Sequence, residues 1–343
     1  FDRLEHFLEA TAERGIAAQL TLWDQHDFVG KRWDGNPWNP ANNNIGLQES
    51  ELTDANAFFR VVAERNALML PYQEQFVEKV LSLTLGYDHL LYNITYEGWA
   101  GEAWECFWAR MIHEHAAERG KTVTVTNMLH GPGMSVRSVL DHPDLFAFCE
   151  VSQNNNAATG YSGREHGEHL LRWRRQVGSA IGPRPFNNEK IYGAPGSGKL
   201  TMGGLEDALD RFWSCLFHGC AAARFHRPHS GIGLSEPACS ALAAARKLEK
   251  IFPVVESRPD PGRLAEMGES PAGCLTHPSG ACAVYLPEGA SVNARIEAGS
   301  SADSVHWLAC DTGKQTRQSA EIDGDVLRLA APFPGRAVAV WSV

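Results

Sequence analysis

A carboxylate at the end of an apolar run is the feature of this sequence that points most directly to chemistry. Residues 90–95 are mostly apolar or β-branched, which predicts a strand, and Glu97 lies at its C-terminal end. A long helical pattern begins a few residues later. Enzymes built as barrels of parallel strands carry their catalytic groups at the carboxyl ends of those strands. Glu97 therefore occupies the position at which such an enzyme would place a catalytic acid.

The elements around Glu97 predict a strand-helix-strand unit. Apolar residues recur at helical spacing from Trp104 to Ala116, and the β-branched run at 122–126 indicates the next strand. That next strand extends to 128, and the same alternation covers most of the chain, with other strands predicted at 16–23, 146–152, 186–192 and 220–226 and helices at 4–12, 55–66, 73–85, 205–217 and 236–251. Alternating strands and helices imply a parallel sheet covered by helices.

The arrangement of these strands favours a (β/α)8 TIM-type barrel over an open sheet. Each strand ends in polar or charged residues, and no glycine-rich dinucleotide-binding turn opens the chain. Six strands are predicted rather than eight, and Phe1 falls inside what reads as the helix of the second unit. We therefore expect residues 1–253 to form an N-terminally incomplete barrel that lacks its first two strands through truncation or incomplete sequence.

The pattern changes after Phe252. Residues 253–271 are rich in Pro, Gly and charge, which indicates a linker or irregular docking segment. Beyond it, short alternating runs separated by turn residues predict strands at 281–286, 291–296, 304–309, 326–330 and 336–343. We expect residues 254–343 to form this linker and a small antiparallel β-sandwich, with Trp307 and Trp341 in its core.

Composition excludes several classes of function. The 343 residues carry a formal net charge of −10, which disfavours binding to the phosphates of nucleic acid. The sequence contains no apolar run of about 18 residues, so no transmembrane helix is predicted. Its eight cysteines include no Cys-x-x-Cys pair, which argues against structural zinc and for buried thiols. A bridge between Cys274 and Cys282 across a predicted hairpin is the best exception.

Several stretches resemble one family of enzymes. The run YNITYEGWAGEAWECFWARMIHEHAAERGKTVTVTNM resembles the fourth-strand region of retaining (β/α)8 glycoside hydrolases of the cellulase-like superfamily. Their seventh strand is similar to RPFNNEKIYG, and their second helix and third strand are similar to FDRLEHFLEATAERGIAAQLTLWDQHD. The small β-sandwich of the apiosidase-like glycosidases resembles VHWLACDTGK followed by APFPGRAVAVWSV.

The resemblance implies an enzyme that cleaves an O-glycosidic bond in a plant, algal or microbial polysaccharide or oligosaccharide. By matching position, Glu97 would be the acid/base with a raised pKa, and Glu189 the nucleophile with a low one. Such an enzyme needs no cofactor or metal, has carbohydrate as its partner, and would be secreted or periplasmic. Neither the sugar, the linkage nor the oligomeric state follows from the sequence.

Polar residues at the other predicted strand ends could contact a sugar, because they would lie on the catalytic face of the barrel. Trp38 and Trp99 lie in or beside these loops, where an indole can stack on a sugar ring, although ordinary packing is an equal alternative. The predicted substrate-binding residues are Asp24, His26, Trp38, Trp99, Asn127, Gln153, Asn154, Asn188, His226 and Arg227. A metal site around Asp24 and His26 is the weaker interpretation.

Two features keep other functions open. Tyr96 stands where the resembled families usually carry an Asn that bonds the sugar 2-hydroxyl, so a catalytically inactive carbohydrate-binding barrel is the main alternative. The loop 193–201 nearly matches the phosphate-binding pattern GxxxxGK[ST], which makes a nucleotide-binding protein a remote alternative. Leu200 lacks the hydroxyl that this pattern needs for Mg²⁺, so an active-site loop is the simpler interpretation.

Overall fold

The computed structural model describes residues 1–44, 46, 52, 54–131, 133–152, 163–194, 204–266, 272–287, 291–296 and 302–342. The chain divides into two compact units, Phe1–Gln153 and Asn154–Val343. None of the helices in the described ranges is both long and apolar enough to cross a membrane.

The first unit alternates helices with parallel strands. Strands β1, β2 and β3 form a sheet in that order, with Asp24 opposite Tyr96 and Asn93 opposite Thr126. This register brings the carboxyl ends of β1 and β2 to the same level. The elements are α1 (Asp2–Glu13), β1 (Ala18–Asp24), α2 (Lys31–Asp34), α3 (Ala55–Glu64), α4 (Leu70–Thr84), β2 (Leu90–Tyr96), α5 (Glu102–Glu118), β3 (Thr124–Thr126), α6 (Met134–Asp141) and β4 (Cys149–Glu150).

An aromatic cluster holds the helices of this unit to its sheet. Trp23 on β1 is buried, and its ring centroid lies 5.1–5.8 Å from those of Phe58, Phe76, Trp104 and Trp108. These partners come from α3, α4 and α5. Large aromatic side chains bury much apolar surface and pack in tilted or edge-to-face pairs. This cluster therefore stabilises the packing of the three helices on the sheet that carries the ends of β1 and β2.

The second unit begins with the same alternation. It contains α7 (Gly163–Ile181), β5 (Phe186–Ile191), α8 (Gly204–Phe217), β6 (Ala222–Phe225) and α9 (Glu236–Leu248). Strands β5 and β6 are parallel, and the stacked rings of Phe212 and Phe225, 4.9 Å apart, show that α8 covers one face of them. The predicted mixed α/β character of residues 1–253 is confirmed.

The C-terminal segment folds into two antiparallel sheets, as predicted. Their inner faces share one core that includes Trp307 and Trp341, both buried. The strands are β7 (Arg258–Pro259), β8 (Leu264–Glu266), β9 (Gly273–Thr276), β10 (Cys282–Leu286), β11 (Ser291–Arg295), β12 (Ser304–Ala309), β13 (Gln315–Ser319), β14 (Glu321–Asp323), β15 (Val326–Ala330) and β16 (Ala337–Trp341). One sheet has the order β13-β12-β16-β10-β9-β7 and the other β14-β15-β11-β8.

Cys274 and Cys282 are free and buried, so this pair agrees with the interpretation of buried thiols and not with the exception, a bridge between them. The two cysteines lie on paired strands, but Cys274 is opposite Val284 and Cys282 is opposite Thr276. A disulfide needs two side chains that face each other at short range, and this register does not provide that.

The six-stranded sheet packs against α8 through its outer face. Tyr285 on β10 stacks on Trp213, with ring centroids 6.1 Å apart, and its hydroxyl donates to Asp210 Oδ1 at 2.7 Å. Arg336 Nε donates to the same oxygen at 2.6 Å, and its Nη2 donates to Glu206 Oε2 at 2.8 Å. The β-sandwich therefore covers the helices of its own unit, and the domain boundary at residues 253 and 254 stays a prediction.

Candidate active site

Glu97 follows β2 in an unusual backbone conformation. Its φ of 53° lies in the left-handed region, which is uncommon for residues other than Gly and costs free energy. The next residue, Gly98, is buried and has no room for a side chain, because a Cβ there would lie 2.3 Å from Thr95 Cγ2. This tight turn sets the direction of the Glu97 side chain, which keeps 21% of its surface exposed. Backbone strain of this kind is frequent at catalytic positions.

Two predicted residues from the end of β1 lie beside Glu97. Asp24 Oδ1 accepts a hydrogen bond from the backbone N–H of His26 at 3.0 Å, which turns the chain at the end of the strand. His26 Nδ1 lies 3.6 Å from Glu97 Oε2. Burial raises the pKa of Asp24, and the negative charges of Asp27 and Glu97 raise it further. The structure thus places an imidazole from the end of β1 beside the Glu97 carboxyl group, and the roles of Asp24 and His26 stay predictions.

Gln25 holds the loop after Glu97 and was not predicted. Its side chain is fully buried, and Oε1 accepts hydrogen bonds from the backbone N–H groups of Trp99 and Ala100. The indole of Trp99 is 43% exposed beside this anchored loop, so it is free to stack on a ligand. The signal in the sequence was the polar run 24–27 directly after a strand, within which Gln25 was not distinguished from its neighbours.

Trp38 and Asn127 are engaged in packing and hydrogen bonding within the first unit. The ring of Trp38 lies 5.2 Å from that of Phe58 and belongs to the aromatic cluster. Asn127 is fully buried, and its Nδ2 donates to Ser138 Oγ at 3.1 Å. These contacts match the packing alternative for Trp38, and a substrate contact by either residue stays a prediction.

Glu105 is a second carboxyl group near the end of β2 and was also not predicted. It lies on α5, is 1% exposed, and its Oε1 accepts a hydrogen bond from Thr95 Oγ1 at 2.8 Å. Burial raises its pKa to about 8, although Thr95 and Asn127 partly offset this effect. Glu105 and Trp99 both line a cavity of about 390 Å³. Burial therefore favours the protonated form of Glu105, whose contact with Thr95 is structural.

Glu105→Gln is expected to stabilise the protein at pH 8 and above, and to change its stability little at pH 5. The pKa of Glu105 rises from 4.5 to about 8 on folding, so the folded state retains the proton and the free energy of unfolding falls as pH rises between these values. A neutral Gln avoids this loss, which is on the order of 3–5 kcal/mol at its limit. Thermal unfolding measured from pH 5 to 8.5 tests this, with the exposed Glu102→Gln as control. Parallel profiles for wild type and Glu105→Gln would contradict it.

Glu189 lies in an irregular part of β5. Asn188 pairs with Ala223 and Ile191 with Phe225, so Glu189 and Lys190 together face the single residue Arg224 on β6. Such a β-bulge redirects side chains and is frequent next to active sites.

The electrostatic surroundings of Glu189 differ from the expectation for a nucleophile. Burial raises the pKa of its carboxyl group, and the positive charges of Arg224 and Lys190 lower it only in part. The sequence-based expectation was a low pKa. The difference arises because burial removes water from the Glu189 carboxylate. The position of a residue in a predicted strand does not show how deeply it will be buried.

The side chain of Asn188 is turned towards the helices of the second unit. Its Nδ2 lies 3.2 Å from His166 Nε2 and 3.4 Å from Cys215 Sγ, and all three side chains are buried. A contact between Asn188 and substrate stays a prediction. His166 on α7 is fully buried.

The remaining predicted contacts divide into two groups. His226 and Arg227 follow β6: His226 is 8% exposed and packs edge-on against Tyr192, whereas Arg227 is exposed. Gln153 and Asn154 lie outside the described residues, as does most of the loop 193–201.

In the described ranges, no three His, Cys, Asp or Glu side chains are grouped so that they could hold a metal ion.

Comparison with known proteins shows the fold. No family model and no curated protein sequence matches the chain. A solved glycoside hydrolase aligns with 99% of this chain and 89% of its own, at 14% identity and a TM-score of 0.61. A family 5 glycoside hydrolase from Bacteroides vulgatus aligns with 99% of this chain and 85% of its own, at 13% identity and a TM-score of 0.64. The chain therefore has the fold of glycoside hydrolases, as the resemblance in sequence implied.

Proposed function

We propose that this protein is a glycosidase that cleaves an O-glycosidic bond by a retaining mechanism, with Glu97 as acid/base and Glu189 as nucleophile. The observation that carries the proposal is that a partly exposed carboxylate stands in a distorted backbone at the end of β2 and another in β5. A fold like that of glycoside hydrolases supports it, since these enzymes act through paired carboxylates.

The proposal extends to the architecture of the parallel strands. Strands β1 to β6 would take the places of strands three to eight in a (β/α)8 barrel. On β6, Phe225 faces α8 and is buried, whereas Ala222 and Arg224 are exposed.

In this mechanism each carboxylate has one task in each step. Glu97 protonates the leaving oxygen while Glu189 attacks the anomeric carbon, which forms a covalent glycosyl-enzyme. Glu97 then removes a proton from the water that releases the sugar. The positive charges of Arg224 and Lys190 favour the ionised form of Glu189 that attack requires.

The substrate is proposed to be a plant, algal or microbial polysaccharide or oligosaccharide. His26 lies beside Glu97, Trp99 offers an exposed ring for stacking, and Arg227 is exposed after β6. Donors and acceptors combined with an aromatic surface suit the hydroxyl groups and the apolar face of a sugar.

The configuration of the first-formed product tests this proposal. Aryl glycosides of common hexoses and pentoses are incubated with the protein, and ¹H NMR follows the anomeric signals before mutarotation. Retention is expected; inversion would contradict a covalent role for Glu189, since a base acting on water inverts the centre. Hydrolysis of no glycoside, together with measurable binding of oligosaccharides, would favour the inactive carbohydrate-binding barrel, for which Tyr96 at the position before Glu97 is the specific observation.

A further inference from the structure

A cleft of about 220 Å³ in the second unit is lined by four arginines. We infer that this arginine cleft, defined by Arg174, Arg175, Arg184 and Arg258, binds an oxyanion, a sulfate or phosphate group either free or as an ester on a sugar. The other described residues that line it are Leu171, Gly178, Pro183 and Pro259, so none of these lining residues is a carboxylate. This site is separate from the proposed glycosidase chemistry and does not depend on it.

No ion pair neutralises the charges in the cleft, as far as the described residues extend. In the parts of the chain that the structure describes, none of the four arginines forms an ion pair, whereas Arg211, Arg263 and Arg336 pair with aspartates or glutamates elsewhere in the same unit. Four neighbouring positive charges repel one another, and this repulsion is greater where solvent is partly excluded. An anion in the cleft would offset it.

Two of the arginines are held in place without losing their capacity to bind. Arg174 Nη1 donates to the carbonyl oxygen of Gly219 at 2.7 Å, and its guanidinium lies over the ring of Phe186 at 5.6 Å. Arg184 Nη1 donates to the carbonyl oxygen of Pro183 at 3.2 Å. A guanidinium has five N–H donors in a planar fork, so each side chain keeps donors for a ligand. The cleft is therefore partly preorganised.

The other two arginines can close on a ligand. Arg175 on α7 and Arg258 on β7 are exposed, and they come from the helical part and the β-sandwich part of the unit. Oxyanions such as sulfate and phosphate match the guanidinium fork with two parallel hydrogen bonds, which a simple halide cannot do. The predicted ligand is therefore tetrahedral and oxygen-rich.

The charge of the cleft is opposite to that of the whole protein, and the cleft lies far from Glu189. The protein has a formal net charge of −10, so a group of arginines without acids does not follow from its composition. Arg184 precedes β5, and Glu189 comes five residues later, a distance of roughly 17 Å along an extended strand. An anion in the cleft would therefore lie at the opposite end of β5 from the proposed nucleophile.

Calorimetric titration of the full chain with sodium sulfate and sodium phosphate, at constant ionic strength set with chloride, tests the inference. Saturable binding by the wild type is expected. In Arg175→Gln/Arg258→Gln, affinity should fall about tenfold for each arginine removed, because each loses charge-assisted hydrogen bonds. Both side chains are exposed, so the variant should fold, which circular dichroism confirms.

The control is Arg172→Gln, which removes an exposed arginine of α7 that does not line the cleft. Its affinity should equal that of the wild type. An equal loss in Arg172→Gln and in the double variant would overturn the inference, since it would show binding through net charge alone. Absence of saturable binding by the wild type would also overturn it.

Glucose 6-sulfate, glucose 6-phosphate and glucose distinguish the sources of the oxyanion. Tighter binding of an ester than of the inorganic ion, lost in the double variant, would support a site for charged sugars. Binding of the inorganic ions alone would support a site for free anions. Binding of glucose as tight as that of its esters would contradict any role for the arginine cleft.

Discussion

Glu189→Gln should lower kcat/KM on an aryl glycoside by about 10⁴-fold or more, because an amide cannot form the covalent intermediate and nucleophile removal is among the most costly catalytic substitutions. Circular dichroism should be unchanged, since Gln keeps the shape of the side chain. Glu249→Gln, which alters a surface carboxylate paired with Arg246, is the control and should retain full activity. Weak activity that is the same in Glu189→Gln and in the wild type would refute the enzyme assignment.

The pH profile separates a nucleophile from a residue with only a structural role. Attack requires ionised Glu189, and burial raises its pKa, so the acidic limb of kcat/KM should lie above the ordinary Glu pKa. Arg224→Gln removes a positive charge that lowers this pKa. The limb should therefore move to still higher pH in Arg224→Gln, and a limb that stays in place would argue against Glu189 as the ionising group.

Glu97→Ala should have an effect that depends on the leaving group. A phenyl or alkyl glycoside needs protonation of its leaving oxygen, so kcat/KM should fall on the order of 10²–10⁴-fold. A dinitrophenyl glycoside leaves without a proton, so formation of the glycosyl-enzyme should be nearly unaffected and its hydrolysis should become limiting. Azide, which needs no general base, should then accelerate turnover and give a glycosyl azide of retained configuration.

The comparison of the two substrates in one variant makes this prediction sharp. An equal loss on both glycosides would contradict an acid/base role and point to a positioning role for Glu97. Glu114→Gln on the exposed face of α5 is the matched control, and it should behave as the wild type on both substrates. Rescue by azide with inverted configuration would instead assign the nucleophilic role to Glu97.

Much of the element order could be predicted because the local patterns were strong. The apolar run that became β2 and the helical stripe that became α5 each carry enough buried surface to select their structure alone. Helix α6 was missed because its apolar pattern is short, and β7, β8 and β9 were missed because Pro and Gly dominate the segment around them. Pairing with other strands, rather than local propensity, makes these segments extended.

The candidate site was predictable to a similar degree. The position of Glu97 at a strand end, with Asp24 and His26 at the end of the neighbouring strand, follows from parallel order, whereas the roles of these residues stay predictions. The roles of Gln25 and Glu105 could not be predicted. Both are buried polar side chains that accept hydrogen bonds from neighbouring groups. Their burial depends on which helix packs over which strand.

The sequence alone determined the types of most elements, the antiparallel C-terminal sheets and the strand-end location of Glu97, because residue periodicity and turn residues act over a few positions. Only the tertiary structure decided the bulge at Glu189, the commitment of Asn188 to His166 and Cys215, and the arginine cleft. These features depend on register, on desolvation and on contacts between residues distant in sequence. Such effects arise when packed elements exclude water from one another, which no local pattern encodes.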